Sequence, residues 1–246
     1  MAQNIYDDPE FLAGYSQLPR QVLGLEGAPE WPAIRALLPD LRGKRVVDLG
    51  CGFGWASRWM REQGAASVLG IDISQSMIAR ARADTTDPAV EYRIGDLDTL
   101  SLPCEAFDLV YSALAFHYVA DFGRLAHTLR GALASAGQLV FTIEHPVYMA
   151  AANPHWISGE ASDQRGRKTW PVDGYAMEGE RRTDWFVKGV LKYHRTLGTT
   201  LNTLIDAGFR IQRVNEFAPT PGQIQQTPAL AEELERPMLL MVSANT

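Results

Sequence analysis

Three glycines at alternate positions, in Val46-Val47-Asp48-Leu49-Gly50-Cys51-Gly52-Phe53-Gly54, constrain this chain more than any other stretch. An apolar run leads into an acid, and the glycines then strip every Cβ from one side of a turn. Backbone of that kind approaches a ligand closely. Apolar residues at Trp55, Ala56, Trp59 and Met60 follow at helical spacing. Strand, glycine turn and helix in this order build a nucleotide-type pocket at the carboxyl edge of a parallel sheet.

The spacing narrows the nucleotide. A dinucleotide fingerprint, G-x-G-x-x-G, sets pyrophosphate on the helix N-terminus; counted from Gly50 and Gly52, its third position is Trp55. The pattern present, Asp-x-Gly-x-Gly-x-Gly, resembles motif I of the class I S-adenosylmethionine (SAM) methyltransferases, type 11-like enzymes of small molecules. That resemblance implies SAM as cofactor, S-adenosylhomocysteine as product, and Asp48, Gly50, Cys51, Gly52 and Gly54 around the amino-acid end of SAM.

The rest of the chain alternates strand and helix. Strands are predicted over 44–49, 67–73, 89–94, 107–112, 138–143, 209–217 and 238–243. Helices are predicted over 31–38, after Ser74 with Met77, Ile78 and Ala81 on one face, over 122–133, and from Leu197 to a stop at Gly208. This argues for an α/β doubly wound sheet. Order and count resemble the seven-stranded, mostly parallel Rossmann-like methyltransferase fold, with the last strand antiparallel and an aromatic insertion after strand 5. The resemblance covers roughly residues 30–145 and 194–244.

At 246 residues the chain suits one domain, 1–246, with residues 1–30 as a cap and 146–192 as an insertion. Its net charge is −6 and it has no block of basic residues, which disfavours a sequence-independent phosphate-binding face. The expectation is a small-molecule substrate, with no nucleic-acid or membrane partner, and a monomer or homodimer. Met1–Tyr15 has neither a basic start nor an apolar core, and no apolar run reaches membrane-spanning length. A cytoplasmic protein is expected. The two cysteines make neither a disulfide framework nor a zinc site; Cys51 reads as a small packed spacer in the turn. No metal-ligand cluster stands out, and no metal is expected.

Further motifs end the strands. Asp72 lies about 20 residues beyond the glycine turn, where an acid meets ribose in nucleotide folds; the alternative is a helix-capping acid. The methyltransferase resemblance implies adenine contacts from Ile73, Met77, Gly95, Asp96 and Leu97, with Asp98 a competing acid. Phe107–Ser112 resembles the family's fourth motif, which brings Ser112 to the cofactor. Arg20, in the cap, is a candidate for the SAM carboxylate.

Catalytic candidates are His117 and His145, since imidazole titrates near neutral pH. His117 reads equally well as a group that orients SAM. Glu144 and His145 are neighbours on a strand, so at most one of them faces the pocket; His145 is the choice, the alternative being a structural role at the sheet edge. The insertion is rich in aromatics and reads as a substrate lid with a hairpin turning at Lys188-Gly189 and its charges mostly solvated. Tyr6, Tyr15, His145, Tyr148, Trp156 and Trp185 are the candidate substrate contacts. Methyl transfer to an O, N or C atom of a small molecule is the favoured activity. A non-catalytic SAM-binding protein and a nucleotide-dependent oxidoreductase are the alternatives, the latter disfavoured by Trp55.

Overall fold

A computed structural model describes residues 3–152, 154–157 and 168–246. The centre of the insertion, residues 158–167, and residues 1–2 of the cap lie outside the described residues. The chain opens with α1 (Pro9–Tyr15), α2 (Pro19–Val22) and α3 (Trp31–Arg35). The alternating body follows as β1 (Arg45–Leu49), α4 (Trp55–Glu62), β2 (Ser67–Asp72), α5 (Gln75–Ala83), β3 (Val90–Ile94), β4 (Phe107–Ala113), α6 (Phe122–Ala132) and β5 (Leu133–Glu144). After α7 (Pro146–Ala150) come the insertion hairpin, β6 (Gly179–Trp185) and β7 (Val187–His194), then α8 (Leu197–Asp206), β8 (Arg210–Glu216), α9 (Pro221–Gln226) and β9 (Leu239–Asn245).

Seven strands form one sheet in the order β3-β2-β1-β4-β5-β9-β8, with β9 antiparallel to both neighbours and the other pairings parallel. The order runs outward from β1 to β3 on one side and from β4 to β5 on the other. The carboxyl ends of β1 and β4 therefore flank a topological switch point, where open α/β sheets hold ligands.

Alternate residues feed two cores, because side chains alternate across a strand. Val47, Leu49, Phe141, Ile143, Leu240 and Val242 pack with Leu125 and Leu129 of α6 and Leu204 of α8. Val46, Val68, Leu109, Val140 and Met241 pack on the other face, with Trp31, Ile34, Met60, Ile78 and Ala81. Burial on both faces explains why these strands read as continuous apolar runs.

Three expectations shift. The helix at Trp31 stops at Arg35, short of Leu38. Strand β5 begins at Leu133, which pairs with Phe107, and the ladder resumes at Gln138 after an irregular stretch in which Ala136 has φ 60°. The hairpin turns at Phe186 (φ 57°), between the paired Trp185 and Val187, while Gly189 sits inside β7. What places that turn is distant: the Phe186 ring packs 5.6 Å from Phe11, over Gly14, where a Cβ would come within 2.5 Å of it.

Candidate active site

One cavity of about 550 Å³ opens at the switch point. Its floor is the glycine turn, in which Gly50, Gly52 and Gly54 all have positive φ. At Gly54 the need is packing, since a Cβ would lie 2.2 Å from the Tyr92 hydroxyl. At Gly52 the need is the cavity: a Cβ there would meet nothing within 4 Å, so the bare backbone faces open space a ligand can enter.

Asp72, at the end of β2, accepts the Gly52 N–H on Oδ2 and the Ser74 N–H on Oδ1, each at 2.9 Å. Each carboxylate oxygen keeps a second lone pair for a diol. Capping is done by the Ser74 hydroxyl, which accepts the Met77 N–H. Burial raises the Asp72 pKa against the pull of those N–H donors. Asp48 is buried and accepts the Ser57 hydroxyl at 2.6 Å; burial pushes its pKa up to about 7, opposed by Ser57 and aided by Asp72. Two buried acids held by neutral donors favour a ligand rich in donors or positive charge.

Ile73, Met77, Asp96 and Leu97 join this half of the wall, as does Cys51, whose thiol pKa burial raises well above the ordinary value. Asp96 holds its loop by accepting the Asp98 N–H, and Asp98 in turn accepts the Ala120 N–H. Three expected contacts are behind the wall. Ser112 is buried and donates to the Leu49 carbonyl at 2.8 Å, bracing β4 to β1. Gly54 caps α4, and Gly95 lies where a Cβ would press on Ile71. Arg20 lines the cavity but is paired with Glu30 at 2.8 Å. Glu30 is buried, and its Oε2 has no hydrogen-bond partner.

The other half of the cavity lies over β4 and β5. His117 is buried there and accepts the Glu144 N–H on Nδ1 at 3.4 Å, which leaves the ring proton on Nε2. Burial lowers its pKa to about 4; Lys192 and Arg195 push the same way, and Glu144 opposes them. A neutral imidazole with its free lone pair engaged is a donor, not a base.

The choice between Glu144 and His145 is reversed. His145 turns from the cavity, caps α7 by accepting the Val147 N–H on Nδ1, and bonds Glu216 through Nε2 at 2.7 Å. Glu144 lines the cavity and takes Lys192 Nζ at 2.6 Å. Lys192 is 4% exposed, contrary to the expectation of solvated charges in the insertion. Strand parity alone did not reveal this, because both rows of β5 are buried from Leu139 to Ile143.

Tyr6, Tyr15, Tyr148 and Trp185 line the cavity, with Tyr118 as an unforeseen neighbour that accepts the Tyr6 hydroxyl at 3.2 Å. Trp156 is elsewhere. It donates to Glu232 and, with Tyr148 and Trp170, surrounds the Arg236 guanidinium at 4.3–5.2 Å from the ring centres. Arg181 likewise serves the fold, donating to the carbonyls of Ala150, Gly174 and Met177.

Residues 47–141 match the model of a methyltransferase domain family. A crystal structure of an S-adenosylmethionine-dependent methyltransferase from Mesorhizobium loti is 56% identical, covers 91% of this chain and 100% of its own, and superposes with a TM-score of 0.86. The chain belongs to the SAM-dependent methyltransferases. An uncharacterized protein of Haemophilus influenzae is 32% identical over 249 residues, 98% of this methyltransferase and 96% of its relative. A tRNA U34 carboxymethyltransferase of Methylococcus capsulatus is 30% identical over 208 residues, 80% of the methyltransferase but only 54% of that protein. The cofactor of this methyltransferase is SAM, and the open face at Gly52 above Asp72 suits it. Among the described residues no helix is long and apolar enough to cross a membrane.

Proposed function

We propose that this methyltransferase acts on an O, N or C atom of a small molecule held in the cavity over β4 and β5. The observation that carries the reading is the shared cavity: the glycine turn, Asp72 and Asp96 line one part, and Tyr118, Glu144, Trp185 and Lys192 line another. SAM supplies a methyl group already activated on a sulfonium. The protein's task is then positioning and exclusion of water. Asp72 holds the ribose hydroxyls, Asp96 and Leu97 the adenine, and Asp48, Arg20 and Glu30 the zwitterionic amino-acid end. Asp48, Glu30 and Arg20 all act electrostatically on the buried Tyr111 hydroxyl, so they cluster. His117 Nε2–H orients a group in the cavity.

The aromatic insertion and the cap form a lid in this reading. Phe11 is fully buried and meets Trp185 and Phe186 at 5.1 and 5.6 Å. A roofed cavity and a net charge of −6 favour a small metabolite over a large polyanion.

The test is calorimetry with SAM and NADH, followed by S-adenosylhomocysteine release over a metabolite panel, with tRNA as a parallel arm. SAM binding and turnover of a panel compound are expected. Transfer to tRNA alone would overturn the substrate reading, and SAM binding without any transfer would favour a non-catalytic role.

A further inference from the structure

We propose that Glu144 takes the proton from a planar hydroxyl substrate, a phenol or an enol, and that Lys192 holds the oxygen as it becomes anionic. This rests on the small-molecule reading above and narrows it to O-methylation. Glu144 spends Oε1 on Lys192 Nζ at 2.6 Å, while Oε2 has no hydrogen-bond partner and is covered as it stands, so that a turn of the carboxyl presents it to a substrate. A buried carboxylate oxygen left unpaired is costly, and a substrate O–H at that point removes the cost. Both side chains line the cavity, 15% and 5% exposed. Glu144 ends β5, across β4 and β1 from the acid of β2, so it stands at the substrate end. Thr183 Oγ1, also unpartnered and also on the wall, adds a polar group from β6.

The charges choose among acceptors. The rings of Tyr6, Tyr118 and Trp185 suit a flat molecule or a cation. A substrate ammonium is disfavoured because the Lys192 ammonium already lies 5.5 Å from the Trp185 ring and repels a second cation. A carboxylate needs no base and would be repelled by Glu144. A neutral hydroxyl satisfies Glu144 before transfer and Lys192 during it. His117 leaves the base role vacant, because Nδ1 is occupied by the Glu144 N–H.

The step balances. The substrate O–H bond breaks and its proton passes to Glu144 Oε2. The oxygen's electron pair forms the new O–CH3 bond as the sulfonium C–S bond breaks, and that bond's pair stays on sulfur. Glu144 then returns its proton to water. The products are a methyl ether, S-adenosylhomocysteine and one proton.

The test uses the full chain, SAM and a panel of substituted phenols with ring-matched anilines and benzoates. Phenols are expected to be methylated, and Glu144→Gln to lower kcat about 10²–10⁴-fold with the SAM dissociation constant within about twofold. Glutamine leaves the buried lysine uncompensated, so the pairwise variant E144Q/K192M, which removes both charges, is run beside it and is expected to fold and to be equally slow. A readout without turnover is the visible absorbance of 4-nitrophenol bound with S-adenosylhomocysteine: its ionised fraction rises in E144Q, where Lys192 faces the oxygen without a countercharge, and falls again in E144Q/K192M. Methylation of anilines or benzoates but no phenol overturns the proposal, as does an E144Q variant with unchanged kcat. If SAM itself does not bind, the cofactor assignment fails and the proposal falls with it.

Discussion

Asp7 accepts the Ser74 hydroxyl at 2.6 Å, fastening the first residues of the chain to the helix that follows Asp72. The Gln75 and Ser76 N–H groups complete the latch. Gln3 ties the same segment to the hairpin, accepting the Leu191 N–H and donating to the Gly189 carbonyl. The N-terminal segment and the hairpin, which both contribute to the cavity wall, are therefore tied together.

Asp7→Ala is expected to loosen both, with faster hydrogen exchange in residues 3–27 and 179–194 and about 1 kcal/mol weaker binding of S-adenosylhomocysteine. The Asp7 carboxyl is partly buried, which opposes ionisation, yet the bonds from Ser74, Ser76, Gln75 and Asn4 hold its pKa well below the carboxylate range. A depressed pKa makes the latch complete above about pH 4 and lost only below it. The gap in affinity between wild type and variant should thus be flat from pH 5 to pH 8; a gap that closes within that window would refute the latch.

Asp72→Ala removes the acceptor for two backbone N–H groups and, in the proposed pose of SAM, for the ribose. SAM affinity should fall by about 1–3 kcal/mol, with Asp72→Asn intermediate because one acceptor oxygen survives. Calorimetry decides it, and an unchanged dissociation constant for Asp72→Ala would reduce Asp72 to a brace for the glycine turn.

His117 makes a stability prediction. Its pKa is about 4 in the folded chain, against about 6.5 for a free imidazole. Between those values the unfolded chain binds the extra proton, so this contribution is full above about pH 6.5 and is lost as pH falls toward 4, by up to about 3 kcal/mol. Asp48, raised to about 7, titrates in the opposite sense. The informative comparison is therefore urea unfolding of wild type and His117→Gln at pH 7 and pH 5: the variant should lose less stability on acidification.

Arg236 pins the insertion from the far side of the chain, stacked among Tyr148, Trp156 and Trp170 and paired with buried Glu233 at 3.0 Å. Arg236→Ala leaves that carboxylate alone and should cost about 3–5 kcal/mol. Arg236→Lys keeps the charge without the planar stacking and should fall between. Limited proteolysis across residues 154–178 and the melting temperature give the answer; unaltered values for both variants would show that the aromatic cluster holds without its cation.

Much of the half of the cavity around the glycine turn was legible in the residues. Asp48, Gly50, Cys51 and Gly52 are local to one strand and one turn, Asp72, Ile73, Asp96 and Leu97 lie at or just beyond the ends of the next two strands, and Met77 lies in the first turn of α5; all line the cavity. The failures there are residues one step off, such as Ser112, whose hydroxyl points inward to Leu49. The half over β4 and β5 was not legible in the same way. Tyr6, Tyr15, Tyr148 and Trp185 were found by their aromatic character, whereas His145 and Trp156 have the right chemistry in the wrong place.

By itself the sequence determined the alternation of strand and helix, the glycine turn and the acids at the ends of β1, β2 and β3, because each depends on chemistry within a few neighbouring residues. Only the tertiary structure decided that Glu144 meets Lys192, 48 residues away, and that Asp7 meets Ser74, 67 residues away. Those meetings depend on which face of β5 opens at the switch point and on how a hairpin folds back over it. Packing among distant side chains settles both, and no local pattern encodes them.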